Sequence, residues 1–165
     1  MREKLYHAST MKSILILHDI RSAQNVGSLF RTADAAGIDK IYLSSITPQP
    51  LDRFGRMRND IAKTALGAEQ AIAWESYDDI KILIENLKKE GVQIIAIEQS
   101  NPSVDYKTIA VDHSVAFILG NEVGGLSQEI LNLTDIVAEI PMRGEKESLN
   151  VAVAGGIAIF RILNI

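Results

Sequence analysis

The chain contains no cysteine, and that absence is the first constraint on its chemistry. It excludes disulfide bonds, thiolate metal sites, iron–sulfur clusters and a cysteine nucleophile. Only three histidines occur among 165 residues, and no group of His, Asp and Glu has the spacing of metal ligands. We therefore expect a reaction that needs neither a redox-active thiol nor a metal ion.

Long apolar runs and a strong excess of one charge are also lacking. The uncharged segment 149–160 is well short of the ~18–20 residues of a membrane-spanning helix, and the start, MREKLYHASTMKS, has no apolar signal-peptide core. Seventeen basic and twenty-one acidic residues give a net charge of −4, which excludes a general basic coat but allows a local basic patch. We expect a single soluble domain over residues 1–165, located in the cytoplasm and without a membrane partner.

Short apolar runs alternate with longer amphipathic segments along the chain. The apolar runs predict strands at 13–18, 40–43, 72–74, 92–97, 115–119 and 136–140. The amphipathic segments predict helices at 25–36, 60–70, 127–133 and 151–162, and one more that Ser76 caps and Gly91 ends. Strands separated by helices indicate an α/β fold, with a mostly parallel sheet and helices on both faces.

Polar residues follow three of these strands, at the sheet edge where α/β proteins bind ligands. In the first segment, HDIRSAQNVGSLFRTADAAG, Asn25 and Arg31 lie around the start of a helix. Another segment, IPMRGEKESLNVAVAGGIAIF, places Ser148 and Asn150 just before an apolar helix. Taken singly, each Asn or Ser is explained as a helix cap and the arginine as a solvated side chain. Their joint occurrence after apolar strands points instead to a shared site.

The remaining polar segment is glycine-rich and has the sequence FILGNEVGGLS. Its glycines permit tight turns and a close approach of the backbone to a ligand. Asn121 and Glu122 stand where the dinucleotide-binding fingerprint needs its second glycine, and the G-K-[ST] of a P-loop is missing. A carboxylate in such a turn repels phosphates, so a diphosphate ligand is not expected here.

Together, the three segments resemble the ordered motifs of the SpoU/TrmH family of the SPOUT class. The matching patterns are N-x-G-x-x-x-R, L-G-N-E-x-x-G-L and I-P-M-x-G-x(4)-S-L-N-V-x-V-A, and the resemblance covers about residues 14–162. It implies methylation of a ribose 2′-hydroxyl in tRNA or rRNA, with S-adenosylmethionine (AdoMet) as cofactor, by a homodimer. It also implies a deep trefoil knot in the C-terminal part, an exception to the rule that chains do not thread loops.

The resemblance assigns roles to individual residues. The catalytic residues that it implies are Asn25, Arg31, Glu122, Ser148 and Asn150. The residues that it implies for contact with the cofactor are Ile97, Gly120, Ile140, Met142 and Leu149. Ala152 and Gly155 depart from the pattern, because serine and alanine are common at these positions. Many relatives carry a separate RNA-binding domain ahead of the catalytic one, and here we expect none, since few residues precede the first strand.

Local positive charge offers a means of contacting RNA. Residues 52–63 contain four basic and two acidic side chains, a net charge of +2 in a chain of −4. The predicted RNA-binding residues are Arg53, Arg56, Arg58 and, in the third motif segment, Arg143. Such a segment is equally explained as a solvated loop, whereas phosphate contact would supply non-specific affinity for RNA.

The motif residues include no base with a neutral pKa. Arg31 could deprotonate the ribose hydroxyl if the substrate phosphate and the geometry assist, or it could hold that phosphate with its guanidinium fork. The sequence leaves these two roles open. His18 ends the first predicted strand near the site and is interpreted as a satisfied histidine at the rim of the core.

Two other functions are weighed against this one. A Rossmann-type nucleotide-binding enzyme is disfavoured because the glycine fingerprint is missing. A non-catalytic RNA-binding dimer of the same fold is disfavoured because all five polar motif residues are present. A dimer is expected for both the methyltransferase and the non-catalytic RNA-binding protein, because the helix at 151–162 is apolar around most of its circumference.

Overall fold

The computed structural model describes residues 11–44 and 46–165. Residues 1–10, which make up most of the segment assessed as a signal peptide, lie outside the described residues, and so does Ser45. Within the described part of the chain, no helix is both long and apolar enough to cross a membrane.

Seven parallel strands form one sheet in the order β3-β2-β1-β6-β4-β7-β5. The strands are β1 (Ser13–Leu17), β2 (Lys40–Ser44), β3 (Ala73–Tyr77), β4 (Gln93–Ile97), β5 (Val104–Asp105), β6 (Val115–Leu119) and β7 (Ile136–Glu139). The helices are α1 (Ala23–Ala36), α2 (Asn59–Ala65), α3 (Ala68–Ala71), α4 (Ile80–Lys89), α5 (Gln128–Leu131) and α6 (Val151–Leu163), with a 3-10 turn at Tyr106–Thr108.

Both faces of the sheet are buried under helices. Along β1, Leu15 and Leu17 pack into one core with residues of α1 and α6, whereas Ile14 and Ile16 pack into a second core with residues of α4 and α5. This division follows from the alternation of side chains along a strand. All five residues of β6, at the centre of the sheet, are buried. The predicted fold class, a parallel sheet covered on both faces, is confirmed.

Two predictions were wrong: the single helix at 60–70 and the N-terminal cap of the helix that follows it. The chain breaks the first into α2 and α3 at Leu66 and Gly67, whose φ angles of 52° and 95° are left-handed and end a helix. Ser76 does not cap the next helix, since it lies in β3. The cap is Asp79, whose carboxylate accepts hydrogen bonds from the backbone N–H of Lys81 at 2.8 Å and of Ile82 at 3.3 Å.

The start of α1 also differs from the prediction, and the difference matters for the site. The helix begins at Ala23, and Ser22 is its N-cap, with its Oγ accepting from the backbone N–H of Asn25 at 3.3 Å. The capping interpretation of Asn25 is therefore wrong, because its side chain is left for another partner. β5 was not predicted from the sequence, since two residues give no period to detect.

Candidate functional site

A cavity of about 390 Å³ opens at the carboxyl edge of the sheet. Its walls are the segments that follow β4, β6 and β7, and its volume is in the range of about 300–1,000 Å³ that small-molecule sites occupy. All five residues predicted to contact the cofactor line it: Ile97, Gly120, Ile140, Met142 and Leu149. Three of the predicted catalytic residues line it too: Glu122, Ser148 and Asn150.

A chain of hydrogen bonds joins the three motif segments beside this cavity. Glu122 accepts from the Asn25 side-chain amide at 3.0 Å, and the Asn25 amide oxygen accepts from Asn150 Nδ2 at 3.0 Å. The Glu122 carboxylate also accepts from the backbone N–H groups of Arg21 at 2.9 Å and Ser22 at 3.0 Å. Residues that lie 97 and 125 positions apart are thereby held in one polar cluster.

Asn150 serves two segments at once. Its amide oxygen accepts from the backbone N–H of Ala152 at 2.9 Å and of Val153 at 3.3 Å, so it is the N-cap of α6. Its amide nitrogen is turned to Asn25. The predicted cap and the predicted site residue are therefore the same side chain in two roles.

The hydrogen bonds set the charge of Glu122. Partial burial raises the pKa of this carboxyl. Hydrogen bonds from the Arg21 backbone, the Asn25 side chain and the Ser22 backbone together lower the pKa by more than burial raises it, so the pKa lies below its ordinary value. Glu122 is thus ionised at neutral pH, and donors already occupy both of its oxygens. The geometry gives it the part of an anchor for the first motif segment.

The glycine-rich segment after β6 is folded back on itself. Asn121 accepts from the backbone N–H of Val123 at 2.9 Å and of Gly124 at 3.0 Å, and its Nδ2 donates to the backbone carbonyl of Asp19 at 2.8 Å. A Cβ on Gly120 would come within 2.8 Å of the backbone carbon of Gly125, so only glycine fits there. The close-packed backbone wall of the cavity therefore requires a residue without a side chain at position 120.

Sequence reasoning missed Glu98, which lies directly after β4 and lines the cavity. Its carboxylate accepts from the backbone N–H of Leu126 at 2.9 Å and of Gln99 at 2.9 Å. The φ of Gly125 is +62°, and a Cβ there would lie 2.5 Å from Glu98 Oε2. Glu98 thus fastens the glycine-rich segment to the neighbouring strand. Its place at the end of a buried strand was the signal that could have identified it.

Asp19 and His18 support the first motif segment from the other side. Asp19 has a left-handed φ of 58°, and its backbone N–H donates to Ser44 Oγ at 2.8 Å. His18 is half-buried, with Nδ1 2.8 Å from the Tyr77 hydroxyl. Burial lowers the pKa of His18, and Asp19 opposes that shift. The contacts agree with the interpretation of His18 as a satisfied histidine.

The predicted arginines are not brought into the cavity. Arg31 is exposed on α1, and Arg143 is exposed in the segment between β7 and α6. Arg53, Arg56 and Arg58 lie in the segment 52–63. Arg56 pairs with Asp52 at 2.9 Å, and Arg58 pairs with Asp60 at 2.5 Å. Among the described residues, no group of three or more His, Cys, Asp or Glu could hold a metal ion.

Comparison with known proteins identifies the family. Residues 12–160 match the SpoU rRNA methylase family. A Staphylococcus haemolyticus protein classed in the TrmH family of tRNA/rRNA methyltransferases is 29% identical over 152 residues, which are 92% of this chain and 58% of that protein. The chain therefore spans 58% of the length of this curated relative.

Solved structures share the fold of this chain. An AdoMet-bound rRNA methyltransferase from Sinorhizobium meliloti is 30% identical with a TM-score of 0.78, over 92% of this chain and 55% of that one. A TrmH/SpoU tRNA modifying enzyme from A. aeolicus is 26% identical with a TM-score of 0.79, over 92% and 73% of the two chains. A family match over nearly the whole length, joined to this site, shows that the chain belongs to the SpoU rRNA methylase family.

Proposed function

We propose that this protein methylates the 2′-hydroxyl of a ribose in tRNA or rRNA, with AdoMet as the methyl donor. The observation that carries the proposal is the hydrogen-bond chain from Glu122 through Asn25 to Asn150, which joins all three motif segments beside one cavity. The alternative is a non-catalytic RNA-binding dimer of the same fold, which would bind RNA without incorporating methyl.

The cavity suits AdoMet in size and in chemistry. The bound cofactor supplies an electrophilic methyl group on a sulfonium. Ile97, Ile140 and Leu149 offer apolar walls for an adenosyl group, and Gly120 lets the backbone approach without a side chain. Glu98 and Glu122 place two carboxylates at the same cavity, which suits a cationic ligand better than a diphosphate.

The polar residues divide into anchors and groups left for the substrate. Glu122 and Asn150 already have their partners, so they position the first and third segments. Ser148 is exposed at the cavity and, within the described ranges, makes no hydrogen bond, so its hydroxyl is available to the ribose. Arg31 has no carboxylate partner in the described part of the chain, so its guanidinium is free to bind the phosphate beside the reactive ribose.

The proposal includes two features that the family resemblance implies. One is a homodimer through α6, whose outer face exposes Val153 and Ile157 to 50% and 38%. The other is the C-terminal knot, for which the sheet order is favourable: β6 and β7, both later in the chain, lie on either side of β4. A sedimentation experiment that finds only an 18.1 kDa monomer at micromolar concentration would remove the dimer.

The test separates cofactor binding from methyl transfer. Arg31→Ala should leave AdoMet affinity, measured by calorimetry, within a few-fold, because Arg31 lies outside the cavity lining. Incorporation of tritiated methyl into bulk RNA should fall by at least ~100-fold, the low end for loss of a positioned proton-transfer group or electrostatic clamp. Arg31→Lys should restore little, since an ammonium cannot reproduce the guanidinium fork.

Lys89→Ala, an exposed change at the end of α4, is the matched control and should methylate like the wild type. Nucleoside mass spectrometry of the product should find the methyl on a ribose oxygen. A methylated base, or normal methylation by Arg31→Ala, would contradict the proposal. The same measurement on tRNA and rRNA fractions separates the two substrate classes.

A further inference from the structure

The segment between β2 and α2 forms a compact hairpin, which we call the arginine hairpin (residues 51–57). Leu51 and Met57 are paired as an antiparallel bridge at its base. The Asp52 carboxylate accepts from the backbone N–H of Phe54 at 2.8 Å and of Arg56 at 3.0 Å, and the Asp52 backbone N–H donates to the Arg56 carbonyl at 2.8 Å. The tip of the hairpin is therefore fixed before any partner arrives.

The hairpin presents an exposed aromatic ring with two guanidinium groups close to it. Phe54 is 65% exposed at the tip, which is unusual for a large apolar side chain. The Arg53 and Arg56 guanidinium carbons lie 4.7 Å and 5.1 Å from the centre of its ring. Aromatic rings and guanidinium planes are the two surfaces on which unpaired RNA bases stack.

The charges of the hairpin favour a nucleic acid over an apolar partner. Arg56 is held by Asp52 at 2.9 Å, which keeps its guanidinium beside the ring. Arg53 has no carboxylate partner among the residues that the structure describes, so its positive charge is available to a phosphate. A protein surface that covered Phe54 would have to desolvate both guanidinium groups, whereas a nucleotide supplies a base for the ring and a phosphate for the charge.

The position of the hairpin separates it from the methylation site. Leu51 and Met57 share a pocket with Ile72 and Trp74, which places the hairpin beside the edge strand β3. The cavity lies at the carboxyl ends of β6, β4 and β7, and β3 is three strands away from β6. That separation is about 14 Å at the usual spacing of strands. The hairpin and the cavity are therefore separate places on the protein.

We propose that the arginine hairpin is a stacking platform for an unpaired base of the RNA substrate, outside the methylation site. The proposal rests on the proposed function, because it takes RNA as the substrate. It adds the prediction that the protein prefers RNA with an unpaired nucleotide at a distance from the target ribose.

The experiment measures binding of a labelled single-stranded RNA oligonucleotide, and of the same strand annealed to its complement, at several salt concentrations. Phe54→Ala should lower the affinity for the single strand by at least about fivefold and leave the slope against salt unchanged, because stacking releases no counterions. Arg53→Ala should reduce that slope by about one ion. Phe54→Trp should restore the affinity. In a Trp74→Phe background, which removes the native tryptophan beside the hairpin, the fluorescence of Phe54→Trp should be quenched by the single strand but not by the duplex.

Ile82→Ala is the matched control, since Ile82 is 58% exposed on α4 at the opposite face of the sheet. The platform is overturned if Phe54→Ala binds the single strand as tightly as the control does. It is also overturned if Phe54→Ala changes the sedimentation of the protein while its RNA binding stays unaltered. If the wild type binds no RNA at all, the proposed function fails first. The platform is supported if Phe54→Ala has a normal kcat at saturating RNA and a raised KM for RNA.

Discussion

The cavity edge and the arginine hairpin use the same chemistry, a carboxylate that accepts backbone hydrogen bonds, over very different distances along the chain. Glu122 accepts from residues 97 to 101 positions away, whereas Asp52 accepts from residues two and four positions away. The Glu122 cluster can form only when β1, β6 and the start of α6 are assembled. The hairpin needs only its own seven residues and the seat beside β3.

Substitutions in the two regions should therefore differ in how far their effects spread through the structure. A substitution near Glu122 releases donors in several segments at once and alters the cavity that they line. A substitution at the tip of the hairpin alters an exposed surface, whereas Leu51 and Met57 at its base lie against Ile72 and Trp74.

Gly120→Ala should have the largest effect on the cavity. The added methyl group would lie 2.8 Å from backbone carbon of Gly125 and from the Leu126 side chain, so the glycine-rich wall has to move. We expect AdoMet affinity to fall by about 100-fold, and overpacking to cost about 1–3 kcal/mol of stability. Gly124→Ala, where the nearest atom is 4.0 Å away, should bind AdoMet normally in the same calorimetric titration. Equal effects of both changes would contradict the close-packed wall.

Glu122→Gln should weaken the cluster in a pH-dependent way. Because the hydrogen bonds hold the pKa of Glu122 below its ordinary value of 4.5, its ionised form stabilises the folded state above that pH, and this contribution is lost as the pH falls through the folded-state pKa. Urea unfolding should therefore find the wild type more stable than Glu122→Gln near neutral pH, with a gap that closes below pH 4.5. Methylation at neutral pH should fall by about 10- to 100-fold.

The control for this pH dependence is Glu85→Gln, an exposed change on α4 with no hydrogen bond in the described part of the chain. Its stability should follow that of the wild type at every pH. A gap for Glu122→Gln that widens on acidification would show that the carboxyl is protonated in the folded protein.

Glu98→Ala should affect cofactor binding without stopping the reaction. It removes the acceptor of the Leu126 N–H, which loosens the glycine-rich segment where it meets β4. We expect the KM for AdoMet to rise by about 3- to 10-fold with kcat nearly unchanged, the scale of losing the hydrogen bond to Leu126, because the other bond, from Gln99, is to the adjacent residue. Glu98→Gln should recover most of this, since its amide oxygen still accepts from Leu126. A fall in kcat with an unaltered KM would place Glu98 in the chemical step.

Asp52→Ala should have the smallest effect on the whole molecule. Its contacts are local, so we expect the melting temperature to stay within about 3 °C of the wild type and AdoMet affinity to be unchanged. Amide hydrogen exchange should quicken at Phe54 and Arg56, whose N–H groups lose their acceptor, and not at Leu126. Asp78→Ala, an exposed change with no hydrogen bond within the described ranges, should leave all of these values unaltered. Faster exchange at Leu126 would show that the two regions are coupled.

The fold class could be predicted because the periods of the apolar residues are local. The five residues expected to contact the cofactor came from the family resemblance, and the structure brings them to one cavity. The ends of neighbouring parallel strands meet at one sheet edge, which brings Ile97, Gly120 and Ile140 together. Prediction from the sequence failed for Ser76 and for the helix at 60–70, where the outcome depends on which donor a cap finds and where a left-handed residue fits. Glu98 was missed because a single glutamate after a strand has no motif of its own.

The periods of the apolar residues were enough to predict a parallel sheet with two buried faces. Three features became visible only in the folded chain. Asn150 both caps α6 and binds Asn25, donors occupy both oxygens of Glu122, and the arginines of the hairpin lie away from the cavity. The physical reason is distance along the chain. A hydrogen bond between residues 125 positions apart leaves no trace in local periodicity, because it exists only after the strands between them have packed side by side.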